Sequence, residues 1–192
     1  PAGRTIVYRE WPSQTEYIEG IGYAGEWALP DGKRMDGRPG PAMADFGFGL
    51  ERYKDEILRV EDGEPIFERW MDSRYGHSKT LGKEAPTTLI DEMASLDMFF
   101  TATPGDSIDE GVGMINDSLS YNPEAPVDAR NQPRLYISEN CKNTIYALQT
   151  YTGADGKKAP TKDPIDVLRY ICLSDAMFID GGSMKSRGGG SY

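Results

Sequence analysis

The sequence predicts an α/β domain in which helices pack on a sheet. Runs rich in β-branched and aromatic residues alternate with runs whose apolar residues recur at helical spacing, which is typical of this class. The chain has 192 residues, 38% of them hydrophobic and 10% aromatic, which is enough for one folded domain. We place this domain at residues 1–180 and expect residues 181–192, rich in glycine and serine, to be a flexible tail.

The chain opens with a strand, a long loop and a helix. Arg4–Trp11 is β-rich and stops at Pro12, which predicts a strand. Residues 13–49 are rich in glycine and proline, which predicts a long loop or insertion. The apolar residues of 50–60 recur at helical spacing, and Asp62 followed by glycine closes this predicted helix.

Two further strands are predicted on either side of a loop and a helix. Residues 65–71 have strand composition, and a polar loop follows at 73–84. Residues 87–94 predict a helix. Residues 98–103 predict a short strand, because Pro104 and a glycine stop it.

The second half continues the alternation. The run 107–119 opens with a capping-box pattern and predicts a helix. Residues 134–137 predict a strand, after which Ser138 or Asn140 is expected to cap a helix that ends near residue 150.

A loop at 151–162 then leads to the last predicted helix, which begins at Asp163 or Pro164 and ends near Phe178. One face of this helix is apolar, so we expect it to pack on the core. The apolar positions are Ile165, Leu168, Cys172 and Ala176.

The chain carries a net charge of −10, with a pI near 4.6. This acidity argues against a protein that grips DNA over a wide surface. It does not exclude a nuclease, because metal-binding carboxylates are themselves acidic and bound cations reverse the local charge. No apolar run is long enough to span a membrane, so we expect neither a signal peptide nor a membrane partner. Cys141 and Cys172 lie among apolar residues and are expected to be reduced core thiols.

Three aspartates predict a metal site. Asp163 and Asp166 lie on the opening turn of the last helix, and Asp72 follows the predicted strand 65–71. Acids brought together from a strand end and a helix start are what a site for two divalent cations requires. Oxygen ligands suit hard cations, so the expected cofactors are two Mg²⁺ or Mn²⁺ ions about 4 Å apart. The carboxylates would be metal ligands, not nucleophiles.

Each aspartate also has a purely structural interpretation. Asp163 before Pro164, with Asp166 three residues on, fits a helix N-cap. Asp72 before Ser73 fits the start of an Asx turn. The two roles are compatible, since a cap residue can still face a cleft.

Four residues around Asp72 are candidate DNA contacts. They are Arg69, Arg74, His77 and Lys79. The arginines could instead pair with neighbouring acids at the surface, and His77, the only histidine, could be solvated, a general base or an outer ligand. No P-loop, zinc-ligand spacing or serine-hydrolase elbow occurs.

Four stretches resemble the C-terminal nuclease domain of the large terminase subunit of tailed bacteriophages. The most specific is 162–170 (KDPIDVLRY), which is similar to the family's closing acidic helix almost residue for residue. The others are 3–12 (GRTIVYREWP), 70–72 (WMD) and 137–145 (ISENCKNTI). The likeness touches most of the chain, although residues 13–49 match only loosely.

The resemblance implies a ribonuclease H-like mixed sheet flanked by helices. It implies a metal-dependent endonuclease that cuts concatemeric double-stranded viral DNA at the start and end of packaging, in the host cytoplasm. Asp72 would be the second catalytic acid, Asp163 the last metal ligand, and Asp166 an acid one turn on. The implied partners are the terminase ATPase domain, the small terminase subunit and the portal protein.

The chain departs from the family pattern at its start. The family's first catalytic aspartate lies on a strand before the one that opens this chain, which begins at Pro1. We therefore expect a fragment of a longer protein, whose sheet lacks the first strand and whose site lacks one acid. Asp45 or Glu10 could replace that acid, and neither is favoured by the pattern.

Two other functions stay open. The first is a non-catalytic module that docks onto the portal or motor, with the acids serving as caps and surface charge. The second is another ribonuclease H-like nuclease, such as a Holliday-junction resolvase. Metal binding and plasmid nicking separate the first from a nuclease, and preference for branched DNA identifies the second.

Overall fold

The computed structural model describes residues 3–13, 17–18, 22–23, 48–79, 87–104, 108–153 and 162–174. Strands and helices alternate there, so the predicted α/β class is confirmed. The strands are β1 (Thr5–Val7), β2 (Tyr17–Ile18), β3 (Gly22–Tyr23), β4 (Trp70–Met71), β5 (Thr101–Ala102) and β6 (Leu135–Ile137). The helices are α1 (Leu50–Glu61), α2 (Ser73–Gly76), α3 (Leu89–Ala94), α4 (Ile108–Leu119), α5 (Lys142–Thr150) and α6 (Lys162–Leu173).

The strands pair two by two within the described residues. β1 is parallel to β6 with Thr5 opposite Leu135, and β4 is parallel to β5 with Trp70 opposite Thr101. β2 and β3 form a short antiparallel pair inside the stretch 13–49, which was predicted as loop throughout. The described strands are two or three residues long, shorter than predicted.

The main core lies where α4, α5 and α6 pack against the β1–β6 pair. Its buried residues are Ile115, Leu135, Ala147, Ile165 and Leu168. The predicted apolar face of α6 is confirmed at Ile165 and Leu168, and Cys172 packs beside them, while Ala176 lies outside the described residues. Cys141 and Cys172 are both free thiols, as expected.

The start of α5 differs from the prediction. Neither Ser138 nor Asn140 caps it; Cys141 occupies the N-cap position and makes no side-chain cap bond. The carboxylate of Glu10 caps the helix instead, accepting the backbone N–H groups of Asn143 and Thr144, each at 2.9 Å. The cap therefore comes from the chain beyond β1, which the β1–β6 pairing brings beside α5.

A second group of elements surrounds β4. The predicted polar loop 73–84 begins with the one-turn helix α2, whose Gly76 packs tightly against α3. A Cβ at Gly76 would lie 2.6 Å from Cδ1 of Ile90. Thr88 and Asp91 form a capping box at the start of α3, which fixes the helix that supports α2.

Helix α6 begins at Lys162, slightly earlier than predicted. Asp163 thus lies inside the first turn and not at the N-cap. Pro164 fits the same turn because a first-turn N–H has no intrahelical acceptor. The described part of α6 ends at Leu173, and the predicted continuation to Phe178, the cap at Ser107, Asp45 and the tail 181–192 lie outside the described residues. None of the helices described is long and apolar enough to cross a membrane.

Candidate metal and nucleic-acid site

The end of β4 and the middle of α6 meet through one hydrogen bond. The hydroxyl of Tyr170 donates to Oδ2 of Asp72, across 98 residues of sequence. This contact places the strand-end carboxylate against α6 at Tyr170. Asp163, Asp166 and Tyr170 are spaced i, i+3 and i+7, so they lie along one face of α6.

Asp72 caps the short helix α2. Its Oδ1 accepts the backbone N–H groups of Arg74 at 2.8 Å and Tyr75 at 3.2 Å, and the Arg74 guanidinium lies 3.5 Å from Oδ2. Burial pushes the Asp72 pKa upward, but the hydrogen bond from Tyr170 and the two backbone bonds outweigh it. The net pKa is below its ordinary value, so the carboxylate is ionised at neutral pH.

Asp166 is held between two cations of its own helix. Lys162 donates a hydrogen bond to Oδ2, one turn back, and Nη2 of Arg169 lies 3.3 Å from Oδ1. The side chain of Arg169 is only 4% exposed, and its guanidinium lies over the Tyr170 ring, 4.5 Å from the centroid. The aliphatic part of Arg169 fills the space above Gly111 of α4. Asp166 is therefore anchored by a buried cation.

Asp163 has a different environment. It is half-buried, and no residue in the described ranges donates a hydrogen bond to its carboxylate. Its pKa is raised by burial; the Lys162 charge opposes this effect, and the Asp166 charge adds to it. Among the three predicted ligands, Asp163 is the carboxylate that gains most from a nearby cation.

The donor chemistry fits Mg²⁺ or Mn²⁺, because all three groups are hard carboxylate oxygens. The geometry fits only in part. The described residues contain no group of three histidines, cysteines or acids close enough to hold one metal ion. Asp163 and Asp166 lie on one face of α6, whereas the contact between Asp72 and this helix is at Tyr170. A metal ion that bound all three would have to draw Asp166 away from Lys162.

The four candidate DNA contacts divide into two kinds. Arg69 makes a bidentate ion pair with Glu61 of α1, with both N–O distances 2.6 Å, which matches the surface-pairing alternative. Arg74 has a side chain that is 76% exposed, and His77 and Lys79 are also exposed. Nδ1 of His77 lies 2.8 Å from the Ser73 carbonyl. Three of the four are therefore exposed polar side chains, and Arg74 among them contacts Asp72.

The sequence reasoning missed three residues of this site. Lys162 and Arg169 flank Asp166 at i−4 and i+3, a spacing that is readable from the sequence as helical ion pairs. The contact of Tyr170 could not be predicted from the sequence, because its partner Asp72 is 98 residues away. Glu10, considered as a substitute acid, is engaged at both oxygens in capping α5.

Comparison of the chain with known proteins adds no information about this site. The chain matches no family model, no curated protein and no solved structure. The site must therefore be interpreted from its own residues.

Proposed function

We propose that this chain is a metal-dependent endodeoxyribonuclease domain with a ribonuclease H-like fold, of the kind found at the C-terminus of large terminase subunits. Its substrate would be concatemeric double-stranded viral DNA, cut during genome packaging in the host cytoplasm. One observation carries the proposal: the Tyr170–Asp72 hydrogen bond joins the strand-end acid to the acidic helix α6. The resemblance of 162–170 to the closing helix of that family supports it.

Each carboxylate has a distinct part in the proposal. Asp72 is the fixed ligand, ionised and oriented by the α2 backbone. Asp163 is the entry ligand, because its half-buried charge lacks a hydrogen-bond donor among the described residues. Asp166 would complete the set of ligands once released from Lys162. When bound, Mg²⁺ or Mn²⁺ would lower the pKa of a bound water and stabilise the developing charge on the leaving 3′ oxygen.

The exposed groups that follow Asp72 supply the DNA side of the site. Arg74, His77 and Lys79 lie within seven positions of the carboxylate on one short segment. Arg74 and Lys79 offer cations to a phosphate backbone, and His77 offers a ring nitrogen, without a basic surface over the whole chain. The net charge of −10 then implies that the ATPase domain, the small subunit or the portal holds most of the DNA.

A non-catalytic docking module is the second candidate, and one observation favours it. Asp72 and Asp166 are already satisfied by donors of the chain itself, as structural caps and ion pairs would be. On this alternative the acids stabilise α2 and α6, and the domain docks onto the packaging motor. It predicts neither metal binding nor DNA cutting.

The test is a Mn²⁺ titration that follows both metal binding and nicking of supercoiled plasmid. We compare the unmodified chain with Asp163→Asn and with Asp117→Asn, an exposed aspartate on α4 that serves as the matched control. Binding and nicking that only Asp163→Asn removes support the nuclease. Absence of both in the unmodified chain supports the docking module. A strong preference for four-way junctions over plasmid would move the assignment to a resolvase.

A further inference from the structure

The strand pair β4–β5 has one buried face and one exposed face. Successive residues of a strand point to opposite faces, and Met98, just before β5, is 2% exposed whereas its neighbour Phe99 is 67% exposed. Thr101 is exposed on the same face as Phe99, and its hydroxyl donates a 2.7 Å hydrogen bond to Oε1 of Glu68. Phe99 and Glu68 therefore lie on one exposed face, each two positions before the paired residues Thr101 and Trp70.

A second exposed aromatic side chain adjoins this face. Phe67, next to Glu68 in the chain, is 66% exposed and belongs to the run 62–68, in which every residue is exposed. Parallel strands are normally covered on both faces, and neighbouring exposed apolar side chains commonly mark an interaction site. We call Phe67, Glu68, Asp97 and Phe99 the acidic aromatic surface.

The charge around the two aromatic side chains is negative. The run 61–68 contains four acids and no base, and arginines of the chain pair with two of these acids. Lys54 approaches the turn before β5, but it donates its hydrogen bond to the carbonyl of Leu96. Across the part of the chain that the structure describes, no cation pairs with Glu68 or with the exposed Asp97. The surface therefore combines apolar rings with uncompensated carboxylates.

We propose that the acidic aromatic surface is a docking site for a basic segment of a partner protein, in which apolar side chains alternate with lysines or arginines. The apolar side chains of that segment would cover Phe67 and Phe99. Its cations would pair with Glu68 and Asp97 and stack on the exposed rings. Aromatic side chains often dominate the binding energy of such interfaces, so the two rings are the expected anchors.

The charge of the surface argues against two other occupants. A second copy of this chain, docked through the same surface, would place acids against acids. Nucleic acid is a polyanion, which the carboxylates would repel. The surface lies at the end of β4 away from Asp72, so the inference goes beyond the proposed nuclease function and does not depend on it.

The test uses a short fluorescent peptide in which leucines alternate with lysines, and measures its binding by fluorescence anisotropy at about 0.15 M salt. The unmodified chain is compared with Phe99→Ser and with Phe67→Ser. The matched control is Val127→Ser, because Val127 is also 66% exposed and lies between α4 and β6. We expect either aromatic substitution to raise the dissociation constant about tenfold or more, and Val127→Ser to leave it unchanged. Circular dichroism confirms that each variant is folded.

The charges are tested separately. Glu68→Gln and Asp97→Asn should each weaken binding of the peptide, and the weakening should shrink as salt screens the charges. Asp117→Asn, an exposed aspartate on α4, should leave the affinity unchanged. A peptide with serines in place of its leucines should bind more weakly, and a peptide with glutamates in place of its lysines should not bind.

Other results would overturn the inference. Equal binding by the unmodified chain and by both serine variants would show that the peptide adsorbs to the net charge of −10 and not to this surface. Absence of peptide binding by the unmodified chain would show that the surface does not take a basic segment. A dimer in sedimentation velocity that Phe99→Ser abolishes would assign the surface to a second copy of the chain.

Discussion

Asp72 and Asp163 belong to one candidate site, yet their pKa values move in opposite directions. Burial acts on both carboxylates. At Asp72 the hydrogen bonds from Tyr170 and the α2 backbone outweigh burial, and the pKa falls. At Asp163 burial dominates, and the pKa rises. The folded chain therefore stabilises one ionised carboxylate and destabilises the other.

Substitution of the two aspartates should therefore change the free energy of unfolding in opposite directions. Asp72→Asn keeps a capping side chain but removes the charge that Tyr170 and the α2 backbone stabilise, and should lower the free energy of unfolding at pH 7 by about 1 kcal/mol. Asp163→Asn removes a half-buried charge and should raise it. Chemical denaturation at pH 7 measures both, and equal destabilisation by the two substitutions would contradict the assigned environments.

The pH dependence follows from the same shifts. Because the folded pKa of Asp72 is lowered, its stabilising effect is complete above the unfolded value, about 3.9, and is lost as pH falls through the folded value. Because the folded pKa of Asp163 is raised, its destabilising effect is absent below about 3.9 and grows as pH rises through the folded value. We expect Asp72→Asn to reduce the loss of stability in acid below pH 4. The gain from Asp163→Asn should appear only above that pH.

The Glu10 cap on α5 should be a main determinant of folding stability. Glu10→Ala leaves the N–H groups of Asn143 and Thr144 without their acceptor and should cost about 1–2 kcal/mol in urea unfolding. Glu139→Ala is the matched control, because Glu139 is exposed at the same strand-to-helix junction. Similar small losses in both variants would show that Glu10 does not cap the helix in solution.

Gly111 should be intolerant of a side chain, in contrast to Gly113 on the same helix. A Cβ at Gly111 would overlap Cγ and Cδ of the buried Arg169, whereas a Cβ at Gly113 meets no atom within 4 Å. Gly111→Ala should destabilise by about 1–3 kcal/mol through overpacking. Gly113→Ala should stabilise by about 0.5–1 kcal/mol, because alanine is the better helix former. Thermal unfolding of the two variants checks the contact, and stabilisation by both would refute it.

The two arginines beside Asp72 should differ in DNA binding. Arg74 is largely exposed and its guanidinium lies 3.5 Å from Asp72, whereas the guanidinium of Arg69 makes two 2.6 Å bonds to Glu61. If the chain binds DNA as proposed, Arg74→Ala should weaken duplex binding and reduce the slope of log affinity against log salt by about 1. Arg69→Ala should leave that slope unchanged. Fluorescence anisotropy over a salt series measures both, and an equal loss in slope would assign Arg69 to the DNA as well.

Local patterns determined much of the secondary structure. The helix at 50–60, the apolar face with Ile165 and Leu168, and the acidic opening turn of α6 were readable because helical periodicity and turn residues act over a few positions. The positions of the strands could be predicted from the sequence. Their lengths could not, because a strand extends only as far as a partner strand supplies hydrogen bonds. That partner is chosen by the fold.

Tertiary structure alone decided how the site is assembled. The sequence placed Asp72, Asp163 and Asp166 as candidates, but it could not show that Tyr170 would bond to Asp72 or that Glu10 would take over the cap expected of Ser138 or Asn140. Each of these contacts joins residues about 100 positions or more apart, and such pairs form only after the helices and strands pack. Electrostatic environment follows from that packing, which is why the two aspartates Asp72 and Asp163 acquire opposite pKa shifts.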